Sequence, residues 1–269
     1  MTAVLLALVG SGCGNNPAPS AHKPAQPASA TARSGATGPE DLTDQQLTAG
    51  LVRFAAKHRP VYCGGRAKPW VAFTFDDGPG PYTKHVVEIL KHFRAPPTWF
   101  VVGRNVAPYK SSLTAERKIG PVGDHSWSHP LLTSLPAGQA KTQIGATAKA
   151  IHRAGAPKVQ LFRPPYGAHN RTIDAIARRD GMVQVLWNVD SEDALGANHK
   201  EISKNVIKGL RPGSIVLMHE NRGQTIRALK FKILPHMKKT NIKLVTVPQM
   251  LAGNPPTAKQ LARGRKGCR

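Results

Sequence analysis

The sequence predicts an α/β fold built on a mostly parallel sheet, and two observations carry that reading. From Trp70 onward, short apolar runs alternate with longer amphipathic stretches, and unusual polar residues recur at the carboxyl ends of the runs. A chain of 269 residues makes one domain, or one domain with appendages. About seven repeats suit an open sheet or one closed into a barrel, and spacing alone does not choose between them.

The elements follow in order. Met1 to Gly12 are apolar and small. A stretch of that length matches the roughly 7–15 residues of an export signal rather than the ~20 of a membrane span, although no Lys or Arg precedes it. Gly10-Ser11-Gly12-Cys13 resembles a bacterial lipoprotein processing site, with Gly10 where such sites usually carry Leu. Residues 1–13 are therefore expected to be a signal. Either Cys13 is lipidated and tethers the protein to the outer face of the cytoplasmic membrane, or the signal is simply cleaved and the protein is secreted to the cell wall. Residues 14–40, rich in Pro, Ala, Ser, Thr and Gly, read as a disordered linker. Leu47, Leu51, Val52, Phe54 and Ala55 recur at helical spacing, after Asp41 and Thr43 as caps, which predicts a helix over 44–58 within a lead-in of 41–67.

Strands are expected at 70–75, 98–102, 121–125, 159–162, 183–187, 214–218 and 242–247. Helices are expected at 82–93, 106–118, 138–153, 171–179, 199–209 and 225–238. The basic tail, 252–269, reads as surface or disordered chain. Cys63 and Cys268 form an even pair in an oxidising compartment, consistent with a disulfide or with two unrelated thiols.

Lys and Arg number 38 against 15 Asp and Glu, a formal charge of +23. That excess favours an anionic partner, whether nucleic acid, a phospholipid membrane surface or an acidic cell wall, and charge alone does not choose among them. Aromatic residues make up 6% and lie mostly in apolar runs, so no face of alternating basic and aromatic residues points to specific nucleic-acid binding.

The polar clusters at strand ends carry the chemistry. Asp76-Asp77 ends the first strand, His125 and His129 the third and Arg163 the fourth; Asp190 and Asp193 follow the fifth, and His219 ends the sixth. Ligands bind at this end of strands in α/β architectures. Two imidazoles four residues apart, if the segment turns like a helix, join a carboxylate to hold one ion and leave room for water. A neighbouring Asp accepts a proton from that water, a separate His protonates a departing group, and an Arg holds the base ionised.

These residues resemble the polysaccharide deacetylase family (NodB-homology, carbohydrate esterase type). The motifs are Thr74-Phe75-Asp76-Asp77-Gly78-Pro79, His125-Ser126-Trp127-Ser128-His129-Pro130, Arg163-Pro164-Pro165-Tyr166-Gly167, Trp187-Asn188-Val189-Asp190-Ser191-Glu192-Asp193 and Leu217-Met218-His219, within a domain of 68–251. The resemblance implies a distorted (β/α)7-8 barrel in a monomer, with one divalent metal, zinc or else Co2+ or a similar ion. It makes Asp77, His125 and His129 the metal ligands, Asp76 the base, Arg163 its orienter, and His219 the acid supported by Asp193. Tyr166 would serve the oxyanion, and Trp187 and Leu217 the acetyl pocket. The implied activity is N-deacetylation of an N-acetylhexosamine polymer, peptidoglycan or chitin-like; an O-acetyl xylan esterase and a wall-binding protein without catalysis are the alternatives. Two positions depart from the family pattern: Ala194 stands where Trp is common, and Asp124 where Asn is common.

Overall fold

The computed structural model describes residues 38–57 and 59–268. Cys13, the signal and residues 14–37 of the expected linker lie outside the described residues, as does His58 at the end of the predicted first helix. Among the described residues no helix is long and apolar enough to cross a membrane.

Eight strands form one parallel sheet: β1 (Trp70–Gly78), β2 (Pro97–Val101), β3 (Val122–Asp124), β4 (Leu161–Phe162), β5 (Val183–Gln184), β6 (Val189–Asp190), β7 (Ile215–His219) and β8 (Lys243–Leu244). Their order is β5-β4-β3-β2-β1-β7-β6, with β8 also paired to β1. The sheet curls into a distorted (β/α) barrel. Between the ends of that path the lead-in intervenes, Val61 pairing with Val185 and Cys63 with Ser214.

Alternation along β1 explains how one strand serves both a core and a site. Val71, Phe73 and Phe75 belong to the large apolar layer between sheet and helices, whereas Ala72 faces the second, inner core. Thr74 and Asp76 share the parity of Ala72, so the same period of two that buries the aromatics sends a hydroxyl and a carboxylate inward.

The outer layer is α2 (Thr83–Phe93), α3 (Gly103–Val106), α4 (Lys110–Arg117), α5 (Ala137–Arg153), α6 (Arg171–Arg179), α7 (His199–Gly209), α8 (Gly223–Ala228) and α9 (Leu234–Met237). α1 (Asp44–Ala55) and α10 (Val247–Gly253) pack together on the inner core, and α11 (Ala258–Ala262) lies against the lead-in, Gln260 Nε2 donating to the Gly64 carbonyl. Thr43 caps α1 by accepting from the Gln46 amide, and Asn198 caps α7 in the same way from Lys200 and Glu201.

Several expectations are corrected. The 106–118 helix is two, α3 and α4, and the 225–238 helix is interrupted by a π turn at Leu229–Ile233. The fifth run stops at Gln184, and β6 forms separately because Asn188 Oδ1 accepts the Ile215 amide and steers the chain onto β7. The 242–247 run keeps only Lys243–Leu244 as strand, Thr246 then capping α10. The tail is not a disordered appendage over its described length. It folds as α11 and a 3-10 turn at Gly264–Cys268, bonded through Cys268 Sγ to Cys63 Sγ. The end of the expected linker is also ordered, since Gln249 Nε2 donates to the carbonyl of buried Pro39.

Candidate active site

All the polar clusters named from the sequence come together at the carboxyl end of the barrel except Asp190, whose carboxylate is taken by Trp187. β1 places Asp76 opposite His219 of β7 in the ladder. The next residue, Asp77, has φ 72°. Ser126, His129, Tyr166 and Glu192 also have positive φ, so five of the six described non-glycine residues in this region of backbone space lie around the site. Such conformations are costly and persist where surrounding structure holds them, as functional loops do.

Asp77, His125 and His129 offer ligand atoms within 4.8 Å of one another. His125 Nε2 and His129 Nε2 lie 3.7 and 3.5 Å from Asp77 Oδ1. These separations are close to the roughly 3.4 Å edge of a tetrahedron whose ligands stand about 2.0–2.2 Å from a central ion. Asp77 Oδ1 is itself buried without a hydrogen-bond partner among the described residues, an orphaned acceptor of the kind a cation would satisfy. His125 Nδ1 donates to the Arg163 carbonyl at 2.7 Å, which leaves Nε2 as the acceptor, and burial pushes this imidazole down to about 3, so it is neutral. The donor set fits one divalent ion.

The histidines do not share a helical turn. They flank a loop in which Asp124 Oδ1 accepts the Ser126 amide at 2.7 Å and Ser126 Oγ accepts the His129 amide at 3.1 Å, bringing the rings to 4.9 Å between centroids. Asp124, which stands where the family commonly has Asn, makes no hydrogen bond to a ligand imidazole among the described residues. Burial pushes its carboxyl well above the ordinary range, and its role is to hold the turn.

Asp76 is buried, with Oδ1 accepting from Arg163 Nη1 at 2.7 Å and Oδ2 3.6 Å from His125 Nε2. Burial raises its pKa, and Arg163 followed by His219 opposes that rise. Arg163 is fully enclosed in the barrel, donating also to Thr74 Oγ1 (2.8 Å), the Val185 carbonyl (3.0 Å) and the Leu186 carbonyl (3.3 Å), over the face of Phe100. On the other side, His219 Nδ1 donates to Asp193 Oδ1 at 2.7 Å, while Asp193 Oδ2 accepts from the His219 amide and from Thr225 Oγ1. Burial works against the His219 proton, but Asp193, with Asp76 and Asp77, outweighs it and lifts the imidazole to about 9.

Tyr166, 67% exposed, stands edge-on to His129 at 4.7 Å between ring centroids, on the rim. Trp187 packs against Gly167, where a Cβ would come within 2.8 Å of its ring, and donates from Nε1 to Asp190 Oδ2. Leu217 lies on β7 two residues before His219 and is almost wholly buried.

Sequence reasoning missed the groups that hold Asp77. Asn105 and Asn221 both donate to its carbonyl, at 3.2 and 3.0 Å. Glu220 fills the space beside Gly78, where any Cβ would strike its carboxyl, and Thr83 Oγ1 donates to it at 2.5 Å; burial pushes Glu220 up to about 7. Glu220 and Asn221 had one clue, their position directly after the strand-end His219, and Asn105 and Thr83 had none.

A family model for polysaccharide deacetylases matches residues 64–185. A peptidoglycan-N-acetylglucosamine deacetylase of Bacillus cereus is 30% identical over 200 residues, covering 72% of this chain and 72% of that protein. This chain belongs to the polysaccharide deacetylase family. The bifunctional xylanase/xylan deacetylase of Cellvibrio japonicus is 40% identical over 158 residues, which are 58% of this chain and only 24% of that protein. The solved structure of the peptidoglycan deacetylase PdaC from Bacillus subtilis superposes with a TM-score of 0.66 at 34% identity, covering 70% of this chain and 92% of that one; the aligned part is 38% of the full PdaC protein.

Proposed function

We propose that this polysaccharide deacetylase is a zinc-dependent N-deacetylase of an N-acetylhexosamine polymer in the cell wall. The observation that carries the reading is the placing of a paired carboxylate and a paired imidazole on either side of one metal-fitting triad: Asp76 against Arg163 on one side, His219 against Asp193 on the other. A divalent ion held by Asp77, His125 and His129 would polarise the acetyl carbonyl and acidify a bound water. Asp76 takes the proton from the attacking water, and Arg163 keeps its carboxylate ionised and aimed. In this reading the amide of Tyr166, a residue in left-handed geometry, donates to the developing oxyanion. His219 gives its proton to the sugar nitrogen as the C–N bond breaks, so that water and amide become acetate and a free amine. Trp187 and Leu217 form the side against which the acetyl methyl packs.

The signal-like pattern of residues 1–13 supports the cell-wall assignment, with the protein exported and Cys13 as the lipidation site or lost with the leader, and a charge of +23 suits a monomer working against an anionic wall or membrane surface. The identity with the Cellvibrio japonicus protein favours a second reading, O-deacetylation of xylan, since the same water attack cleaves an ester. Acetate release by the zinc-loaded protein from peptidoglycan, a chitin oligomer and acetylated xylan separates the two. Release from the N-acetyl polymers supports the proposal; release confined to xylan replaces it with the esterase. Fractionation of cells producing the protein with Cys13 or with Cys13→Ala tests the tether.

A further inference from the structure

A second concavity lies beside the site and shares none of its reacting groups. It is a cleft of about 670 Å³ walled by Arg59 to Tyr62, by His169 and the first turn of α6, and by Leu261 to Gly264 of the disulfide-tied tail. Arg59, Arg171 and Arg263 line it, against a single carboxylate, Asp174. That carboxylate is already engaged: His169 Nδ1 lies 3.0 Å from Asp174 Oδ1, and Tyr62 Oη lies 3.3 Å from His169 Nε2. With Nδ1–H donating to Asp174, Nε2 accepts from the Tyr62 hydroxyl, and the chain closes on itself. Arg171 and Arg263 have no salt-bridge partner among the described residues. Arg265 stands near enough to act on Tyr62 from the tail.

Position adds to charge. Tyr166 is on the rim of the active site and His169 in the cleft, three residues apart, so their Cα atoms are separated by at most about 11 Å. Arg171 lies within the matched family region, 64–185, but the rest of the cationic wall comes from outside it: Arg59 precedes it, and Arg263 and Arg265 follow it. The tail that looked like a solvated appendage is folded by Cys63–Cys268 into one side of this cleft.

We infer that the cleft of Arg59, Arg171 and Arg263 is a second binding site, taking an oxyanion, carboxylate or phosphate, carried by the glycan whose acetyl groups the neighbouring site removes. The inference rests on the deacetylase reading for the identity of the glycan. Guanidinium forks match both oxyanions bidentately, and three of them line the cleft against the one carboxylate, Asp174, which accepts from His169.

The test is equilibrium binding to the full chain, by fluorescence anisotropy at low and moderate salt. Three labelled probes are used: peptidoglycan strands with free stem-peptide carboxylates, the same strands with those carboxylates amidated, and a chitin oligomer bearing a phosphate monoester. The expected result is that a charged probe binds about 10-fold more tightly than the amidated strand, and that Arg171→Gln with Arg263→Gln abolishes the difference. Lys141→Gln with Lys149→Gln, which removes the same charge from α5, is expected to leave the difference in place. The charged probe with the larger loss names the source of the oxyanion. Equal binding of charged and amidated strands overturns the inference, as does a preference that survives the arginine changes or falls equally with the lysine changes. Absence of acetate release from every polymer would instead count against the deacetylase reading and leave the binding result to stand by itself.

Discussion

Replacing Asp193 with Asn keeps the shape of the residue behind His219 and removes its charge. Three contacts depend on that carboxylate: His219 Nδ1 at 2.7 Å, the His219 amide at 2.8 Å and Thr225 Oγ1 at 2.6 Å. Burial alone would depress the imidazole, yet the net effect lifts it from the ordinary 6.5 to about 9. That difference corresponds to on the order of 3 kcal/mol in favour of the protonated form, at a side chain only 11% exposed. In Asp193→Asn the high-pH limb of kcat/KM for acetate release is therefore expected to move toward acid by at least about one pH unit. A dication held by Asp77, His125 and His129 would lower the limb in both proteins, so the comparison is between them. Stability carries the same signature. A group whose folded pKa is raised contributes stability fully below about 6.5 and loses it as pH rises through about 9. The gap in unfolding free energy between the two proteins should be widest near neutral and mildly acid pH and narrow on going to about pH 9. Asp193, held below the ordinary carboxylate range despite burial, keeps its own contribution until strongly acid pH. Denaturant titrations across that range and a pH–rate profile check both. An unmoved limb together with a pH-independent gap would refute the coupling of His219 to Asp193.

Arg163→Lys cannot keep the four contacts of the fork inside the barrel, so a loss of about 3–5 kcal/mol by urea denaturation and a rise in the low-pH limb, as Asp76 loses the guanidinium hydrogen bond that opposes its burial, are expected. His129→Ala removes a ligand whose side chain is 23% exposed, and zinc affinity by chelator competition should fall at least ~100-fold while thermal stability of the metal-free protein changes little. Cys63→Ser with Cys268→Ser opens a loop with a sequence separation of 205 residues, for which the chain-entropy account gives up to about 5 kcal/mol, read as a lower denaturation midpoint.

The strand-end clusters were legible because period-two burial and polar residues at one end of each run are local properties of sequence. β1 and its two aspartates, α2 and α6 lie within one residue of their expected starts, except that β1 extends through Gly78 into the site. What was not legible depends on partners distant in the chain. β6 exists because Asn188 reaches the Ile215 amide, and the His125–His129 turn because Asp124 and Ser126 bond backbone amides in left-handed geometry. Neither leaves a periodic trace. The tail misled for the same reason. Its composition is that of solvated chain, and its order comes from Cys63 and from Gln260, whose amide donates to the Gly64 carbonyl. Asn105 and Asn221, which hold Asp77, are ordinary amides until the fold brings them to its carbonyl.

The central claim is that Asp76 is the base beside a metal held by its neighbours Asp77, His125 and His129. Its most direct test is the turnover of Asp76→Asn on the best N-acetylated polymer, measured beside bound zinc per chain. The account predicts one zinc retained and acetate release reduced by about 10²–10⁴-fold. Zinc retained with turnover near that of the unaltered protein would contradict it.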